Sequence, residues 1–366
     1  MAPAARTIFV SDVVLDFPHL GGVPEFAQRL LDGLAPIYGD RLVPLRQAAA
    51  ELPGRNKAFA HPNYFVREAA MAGAVAKARP GGVFLFPNFS APVGPAAGAH
   101  GVLNVVHDLQ YKFLRQNFSL PGTVEGLDRE FARTAAASDA VLFVSETTRA
   151  HFTRFFGPPR RGAVIHAPIL VSAPADAPVP ADEPPFLLSS SHMSDDHSHK
   201  NAPGVLRLFE GLAPRIEGLR LQLTGRGGPA LDAHLARLAP ELRARIVPLG
   251  FVSRGALDAL YRRALAFVSL SYFEGFNLSA GEAATHRTPL ILSHLPVHRE
   301  LFGHGSGARS ACFLDPRTPS AEVAADWLAA FPHAERAAPW PLADTCRPEA
   351  VAARVAAEID RVAARP

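Results

Sequence analysis

The chain has 366 residues, of which 48% are hydrophobic and 19% charged; this is length for two or three domains and apolar material for two cores, and it excludes a disordered chain. Its 37 Lys and Arg against 34 Asp and Glu leave a formal charge of +3. No basic block interleaved with aromatics accompanies that bias, so nucleic acid is not an expected partner.

The pattern runs strand, helix, strand, helix. The opening MAPAARTIFVSDVV lacks a charged stretch followed by a long apolar run, and reads as a first strand at Ile8 to Val10 rather than a signal peptide. A loop with Gly21 and Gly22 follows, then a helical pattern, PEFAQRLLDGLAPIY. Short apolar runs at Val83 to Phe86, Val102 to Val106 and Ala140 to Val144 suit buried strands. HDLQYKFLRQNF and ETTRAHFTRFFG follow two of them as helices. Proline recurs through VSAPADAPVPADEPP, which reads as a linker. The pattern then restarts, with strands at Phe186 to Ser189, Leu219 to Thr224, Arg245 to Leu249, Ala266 to Leu270 and Leu290 to Ser293. A last helix, PEAVAARVAAEIDRVAAR, is apolar on one face.

The expectation is therefore α/β: two doubly wound, Rossmann-like lobes whose carboxyl strand ends face a cleft. The boundaries read as 1–172, a linker at 173–185, and 186–346, with the helix at 347–366 packing back on the first lobe. The two cysteines, Cys312 and Cys346, cannot form a disulfide framework and read as buried thiols in a reducing compartment. No stretch reaches about 18 uninterrupted apolar residues. A cytoplasmic protein is expected, and the weak positive bias permits peripheral contact with anionic lipid at the inner membrane face.

The most informative segment is YRRALAFVSLSYFEGFNLSAGEAATHRTPLILSHLPVHREL. It reads as a strand, a loop with Glu274, and a helix with Glu282. Glycine after Glu274 lets backbone pass close to a ligand, and the N–H groups of Gly275, Phe276, Asn277 and Leu278 lie where a helix start can face an anion. A bare pair of glutamates at this spacing is common. Placed at a strand–loop–helix junction, with Gly-Phe after the first and Thr-Pro six residues after the second, it is not.

This segment resembles the donor-site signature of retaining GT-B glycosyltransferases, family 4. VVHDLQYKFLRQNFS, SDAVLFVSETTRAHFTRFFG and RIVPLGFVSRGALDALYRRA resemble further segments of that family, so the likeness extends over most of the chain. The resemblance implies that Glu274 contacts the donor sugar and Glu282 the ribose, since a carboxylate accepts paired hydrogen bonds from a diol. It places His107 near the sugar, Phe251 and Val252 at the edge of the base, and Gly21 and Gly22 near the diphosphate. Asp108 reads as a cap for the segment after it. Lys200 matches the second of two basic residues that bind the diphosphate. Ser189, Ser190, Ser191 and His192 stand where the first, an arginine, belongs; Arg226, after the next strand, is the candidate replacement.

The implied reaction moves a hexose-type sugar from a nucleotide-diphosphate donor to a hydroxyl of a glycan, a lipid-linked or another acceptor, with retention and in cell-surface polysaccharide synthesis. It needs no metal and no cofactor beyond the nucleotide sugar. Two alternatives stay open: a sugar-nucleotide 2-epimerase of the same architecture, and a non-catalytic nucleotide-sugar-binding module. Gly225 to Ala230 fits the loose dinucleotide pattern but lacks the acidic residue about 20 positions on. His192, Asp195, Asp196, His197 and His199 match no standard ligand spacing and read as a polar loop.

Overall fold

The structure is a computed structural model. It describes all residues except 1–5, 18–21, 54–55, 90–99, 119–121, 171–183, 191–198, 304–309, 332–338 and 366. Gly21, the loop residues His192, Asp195, Asp196 and His197, and all of the expected linker except Pro184 and Pro185 lie outside the described residues. The chain divides into two units, Met1–Pro168 with Thr345–Pro366, and Ile169–Asp344.

The first unit holds six parallel strands: β1 (Ile8–Val10), β2 (Leu42–Pro44), β3 (Val83–Phe86), β4 (Gly101–Val106), β5 (Ala140–Phe143) and β6 (Gly162–Val164). Their order is β2-β1-β3-β4-β5-β6. The winding direction reverses between β1 and β3. At such a point the loops leaving two adjacent strands diverge and open a crevice at their carboxyl ends. Strands β3, β4 and β5 are buried along their whole length, as parallel strands covered on both faces must be. One side packs Phe9, Phe84 and Phe86 with Met71 and Val75 of the helix Tyr64–Ala78. Elsewhere Phe131 is stacked between Phe89 at 4.0 Å, Tyr111 at 5.3 Å and Phe156 at 5.5 Å.

The last helix, Pro348–Ala363, belongs to this unit although its sequence neighbours do not. Tyr38 donates to Ala356 O at 3.0 Å and to Asp360 at 3.0 Å, Arg161 pairs with Glu358, and Arg354 donates to Ile165 O at 2.8 Å. Contact is close at Gly33, where a Cβ would stand 2.8 Å from Ala352 Cβ and 3.1 Å from Pro348 O.

The second unit holds β7 (Phe186–Ser190), β8 (Arg220–Thr224), β9 (Ile246–Gly250), β10 (Ala266–Ser269), β11 (Leu290–Ser293) and β12 (Ala311–Leu314). All run parallel in the order β12-β11-β10-β7-β8-β9. Here the reversal lies between β7 and β10. Ile169 and Leu170 fall in this unit, four residues before the expected boundary: Ile169 is fully buried, with its Cδ1 3.1 Å from where a Cβ of Gly281 would stand.

The helix expected over HDLQYKFLRQNF is broken. Only Gln110–Phe113 is helical, and a 3-10 turn follows at Arg115–Asn117. Leu114 leaves the helical region at φ −122° and ψ 57°, while Tyr111 turns inward to reach Asp128 at 2.8 Å.

The Gly33 contact gives the first prediction. Gly33→Ala gains helix propensity of about 1 kcal/mol, yet the added methyl overlaps Ala352. It should therefore be net destabilising, by about 1–2 kcal/mol in urea denaturation. Adding Ala352→Gly should recover part of that loss.

Candidate active site

In a parallel sheet every carboxyl end lies along one edge. The second unit's candidate residues follow from that rule. Lys200 comes after β7, Arg226 after β8, Phe251 after β9 and Glu274 after β10.

Two asparagines in left-handed backbone build the central part. Asn201, at φ 53°, caps the helix Ala202–Leu212 by accepting from Gly204 N at 3.1 Å. Its Nδ2 donates to Leu270 O at 2.9 Å and Pro316 O at 2.7 Å. One side chain thus ties the loops after β7, β10 and β12. Asn277, at φ 75°, caps the helix Leu278–Thr285 through Ala280 N at 3.1 Å. Asparagine tolerates this conformation better than other non-glycine residues because its short amide bonds locally.

These caps hold Lys200 and Glu274 together. Lys200 Nζ donates to Glu274 Oε1 at 2.8 Å, and Ser271 Oγ donates to the same oxygen at 2.7 Å. Tyr272 N also donates to His199 O at 2.7 Å. The Glu274 side chain is 8% exposed. Burial alone would raise its carboxyl pKa, but Lys200 and His199 beside it, with both hydrogen bonds, bring it down from 4.5 to about 2. Glu274 is a carboxylate at neutral pH.

Gly275 and Phe276 lead buried into the helix, with the Phe276 ring 3.5 Å from where a Gly281 Cβ would lie. Gly281 N bonds Asn277 O at 3.1 Å. Helix geometry gives the N–H groups of Leu278 and Ser279 no intrahelical partner. About one turn on, Glu282 is 5% exposed. Arg254 Nη1 donates to its Oε1 at 2.7 Å, and Tyr261 Oη lies 3.4 Å from Oε2. Arg254 also pairs with Asp258 at 3.0 Å, and Asp258 is reached by His286 Nε2 at 3.2 Å. Burial and the Glu282 charge push the Tyr261 phenol up, so it stays a donor.

The outer strands present less order. Arg226 is exposed after β8. Gly225 N donates to Gly250 O at 2.8 Å, joining the loops after β8 and β9. Gly250 has φ +66°, and the turn it makes leaves Phe251 75% exposed, with Val252 half-buried beside it. Where the expected arginine is missing, Ser190 Oγ and Thr224 Oγ1 share a hydrogen bond of 2.7 Å.

In the first unit, Gly22 is the exposed first residue of the helix Gly22–Tyr38. His107 follows β4. Its Nε2 lies 2.7 Å from Pro87 O, and Phe26 packs edge-on at 4.6 Å. A carbonyl only accepts, so Nε2 carries the proton and Nδ1 is the acceptor. Burial lowers the imidazole from 6.5 to about 4, against a smaller opposing effect of the Pro87 bond. His107 is neutral at pH 7. Asp108 accepts from Gln110 N at 2.9 Å, a local cap on the short helix after it.

Asn201, Arg254 and Ser271 join this arrangement without having been read from the sequence. Asn201 had a signal, an asparagine two residues before a proline that opens a helix. Arg254 sits 28 residues from its partner, with no local pattern to mark it.

Two predictions follow from the ionisations. Lys200→Met leaves a buried carboxylate without its cation and should cost about 1–3 kcal/mol at pH 7. The wild-type pair confers stability above pH 4.5 that is lost as pH falls toward 2. Urea titrations should therefore show the gap between variant and wild type narrowing on acidification. His107 acts over another window. The unfolded chain takes up its proton near pH 6.5 and the folded chain near 4, so wild-type stability falls between those values by at most about 1.4 kcal/mol per pH unit. His107→Gln should flatten that slope.

Comparison with known proteins bears on the family and the fold. The sequence profile of the glycosyl transferases group 1 family matches residues 176–333. The serotype-specific mannosyltransferase WbdA of Escherichia coli is 26% identical over 260 residues, 64% of this chain and 31% of that protein. The chain thus spans about a third of that relative's length. Mannosylfructose-phosphate synthase of Agrobacterium fabrum is 32% identical over 117 residues, 30% of this chain and 25% of that one. Among solved structures, sucrose-phosphate synthase of Thermosynechococcus elongatus covers 98% of this chain and 99% of its own, with a TM-score of 0.69 at 16% identity. OtsA covers 97% and 99%, with a TM-score of 0.68 at 13% identity. Among the described residues no three potential metal ligands cluster and no helix is long and apolar enough to cross a membrane. Residues 176–333 thus match the glycosyl transferases group 1 family, and the chain is built on the GT-B fold of these solved structures.

Proposed function

We propose that the chain is a retaining glycosyltransferase of the family-4 kind, moving a mannosyl group from a nucleoside diphosphate to a hydroxyl of a glycan or lipid-linked acceptor. The observation that carries the reading is the Lys200–Glu274 pair at the β7–β10 reversal, beside the start of the helix that bears Glu282. The mannosyl assignment rests on two relatives named for mannosyl transfer. A role in cell-surface polysaccharide synthesis, at the cytoplasmic membrane face, fits the serotype-specific relative. The reading assigns the positive potential at the diphosphate to Lys200, the helix N–H groups and Arg226, with no metal.

In the proposed reaction the bond from C1 to the diphosphate oxygen breaks and the bond from C1 to the acceptor oxygen forms on the same face. The acceptor proton goes to the departing phosphate oxygen. C1 passes through oxocarbenium character, which an ionised Glu274 nearby stabilises. With its carboxyl held at about 2, Glu274 is too weak a base and too rarely protonated for acid–base work at pH 7. Charge grows on the diphosphate, where Lys200 and the N–H groups of Leu278 and Ser279 favour it most in the transition state. Glu282 accepts from the ribose hydroxyls once they displace Arg254 or share its oxygen. Phe251, exposed after β9, flanks the base. The neutral ring of His107 suits hydrogen bonding rather than proton transfer. Arg226 is the added cation for the phosphates.

Incubation with GDP-mannose, UDP-glucose and UDP-GlcNAc plus an acceptor series tests the assignment. Acceptor-dependent release from GDP-mannose with retained configuration by NMR is expected. An inverted product, or an altered donor sugar released without acceptor, overturns it. Glu282→Ala should raise donor KM about 10–100-fold with little change in kcat. Glu274→Gln should lower kcat at least about 100-fold. Arg226→Ala should weaken donor binding; unchanged affinity would remove it from the site.

A further inference from the structure

His298 lies on the short helix Pro296–Phe302, after β11, and has no exposed surface. Its Nδ1 is 2.9 Å from Ser293 O, and its Nε2 is 3.0 Å from Asn277 Nδ2. The carbonyl requires a proton on Nδ1, and the amide donor requires a bare Nε2. Both neighbours thus select one neutral tautomer. Burial outweighs the smaller pull of Glu274, lowers the imidazole pKa and favours the same form.

That tautomer settles the orientation of Asn277. Its Oδ1 accepts from Ala280 N, while its Nδ2 donates to Ser269 Oγ at 3.0 Å and to His298. Turned over, the amide would aim NH2 at the Ala280 N–H and lose the cap. Ser269 cannot oppose that turn, because a hydroxyl donates or accepts equally well, and it has Ser271 Oγ 3.3 Å away as a second partner. The His298 ring, fixed by Ser293, only accepts. Ser293 closes the arrangement, donating through Oγ to Ser271 O at 2.5 Å, while Ser271 Oγ holds Glu274.

We propose that His298 is a positioning residue for glycosyl transfer: by accepting from Asn277 Nδ2 it holds the Asn277 amide in its capping orientation, and so keeps the N–H groups of Leu278 and Ser279 aimed at the donor diphosphate. The second half of this statement rests on the donor-site reading above; the first does not.

Two conservative variants separate the contacts. The amide of glutamine reaches the place of Nε2 and retains an acceptor for Asn277. That of asparagine reaches only the place of Nδ1 and retains the Ser293 contact. Amide hydrogen exchange over 275–281 is measured on the full chain without donor, and donor kcat and KM are measured alongside. His298→Asn should speed exchange at Ala280 about 10-fold and lower kcat/KM by a similar factor, the worth of one buried hydrogen bond. His298→Gln should stay near wild type in both. A double-mutant cycle covers global effects: with Asn277→Gly, which keeps the backbone but lacks the amide, His298→Asn should add nothing further. Equal behaviour of the Asn and Gln variants, or an undiminished effect in the Asn277→Gly background, overturns the proposal. Faster exchange with unchanged kcat/KM supports the positioning of the cap and overturns the donor-site reading instead.

Discussion

The ion pair between Lys200 and Glu274 is the contact on which the second unit's carboxyl edge depends. It spans the two loops that diverge at the sheet's reversal, and its members lie 74 residues apart. Such pairs are not free stabilisation. Removing a carboxylate from water costs several kcal/mol, and attraction to a single cation recovers this only with good geometry and further hydrogen bonds. Glu274 has those: Lys200 and Ser271 both donate to one oxygen. Glu274 is thereby held as an anion with little freedom to move. Lys200, 28% exposed, keeps one side toward solvent. This asymmetry suits a group whose cation must also reach a ligand.

The pair is in turn held by two strained positions. Asn201 and Asn277 both occupy left-handed backbone, and each follows one of the two strands that meet at the reversal. Left-handed conformations cost a non-glycine residue of order 1 kcal/mol or more. Here each is offset by a helix cap and two further hydrogen bonds from the same amide. Gly204 shows how tight the fit is, since a Cβ there would sit 2.3 Å from Asn201 Nδ2. The site is thus built on helix starts and strand ends, not on a free loop.

Most of the fold was readable from apolar runs. Nine of the twelve strands stood out as short buried segments, and several matched to the residue, such as Val83–Phe86 and Leu290–Ser293. The three that did not are β2, β6 and β12, all at sheet edges. Leu42–Pro44 and Gly162–Val164 have no fully buried residue, so neither shows the unbroken apolar run of a central strand. The Glu274 to Glu282 segment was legible because its chemistry is local: one loop and one helix carry both glutamates. The partners of those glutamates were not. Lys200 to Glu274, Arg254 to Glu282 and His298 to Asn277 are all made by tertiary packing. A lone Arg or His leaves no period in a sequence, and the burial that gives His298 its meaning exists only in the folded chain.

The missing arginine becomes a question of charge. In the structure Lys200, expected at the diphosphate together with Arg226, is engaged with Glu274, and Ser190 and Thr224 bond each other at the ends of β7 and β8. A helix start adds roughly half a positive charge. Together these fall short of balancing a diphosphate whose negative charge grows as the sugar departs. Ground-state binding is then weaker than in a site with two fixed cations. A further cation within reach of the phosphates would strengthen donor binding and also stabilise the charge that develops as the sugar leaves. Arg226, exposed on the next strand's end, has the reach of a long side chain. In the proposed donor site, an arginine here in place of the missing one would both hold the donor and favour its departure.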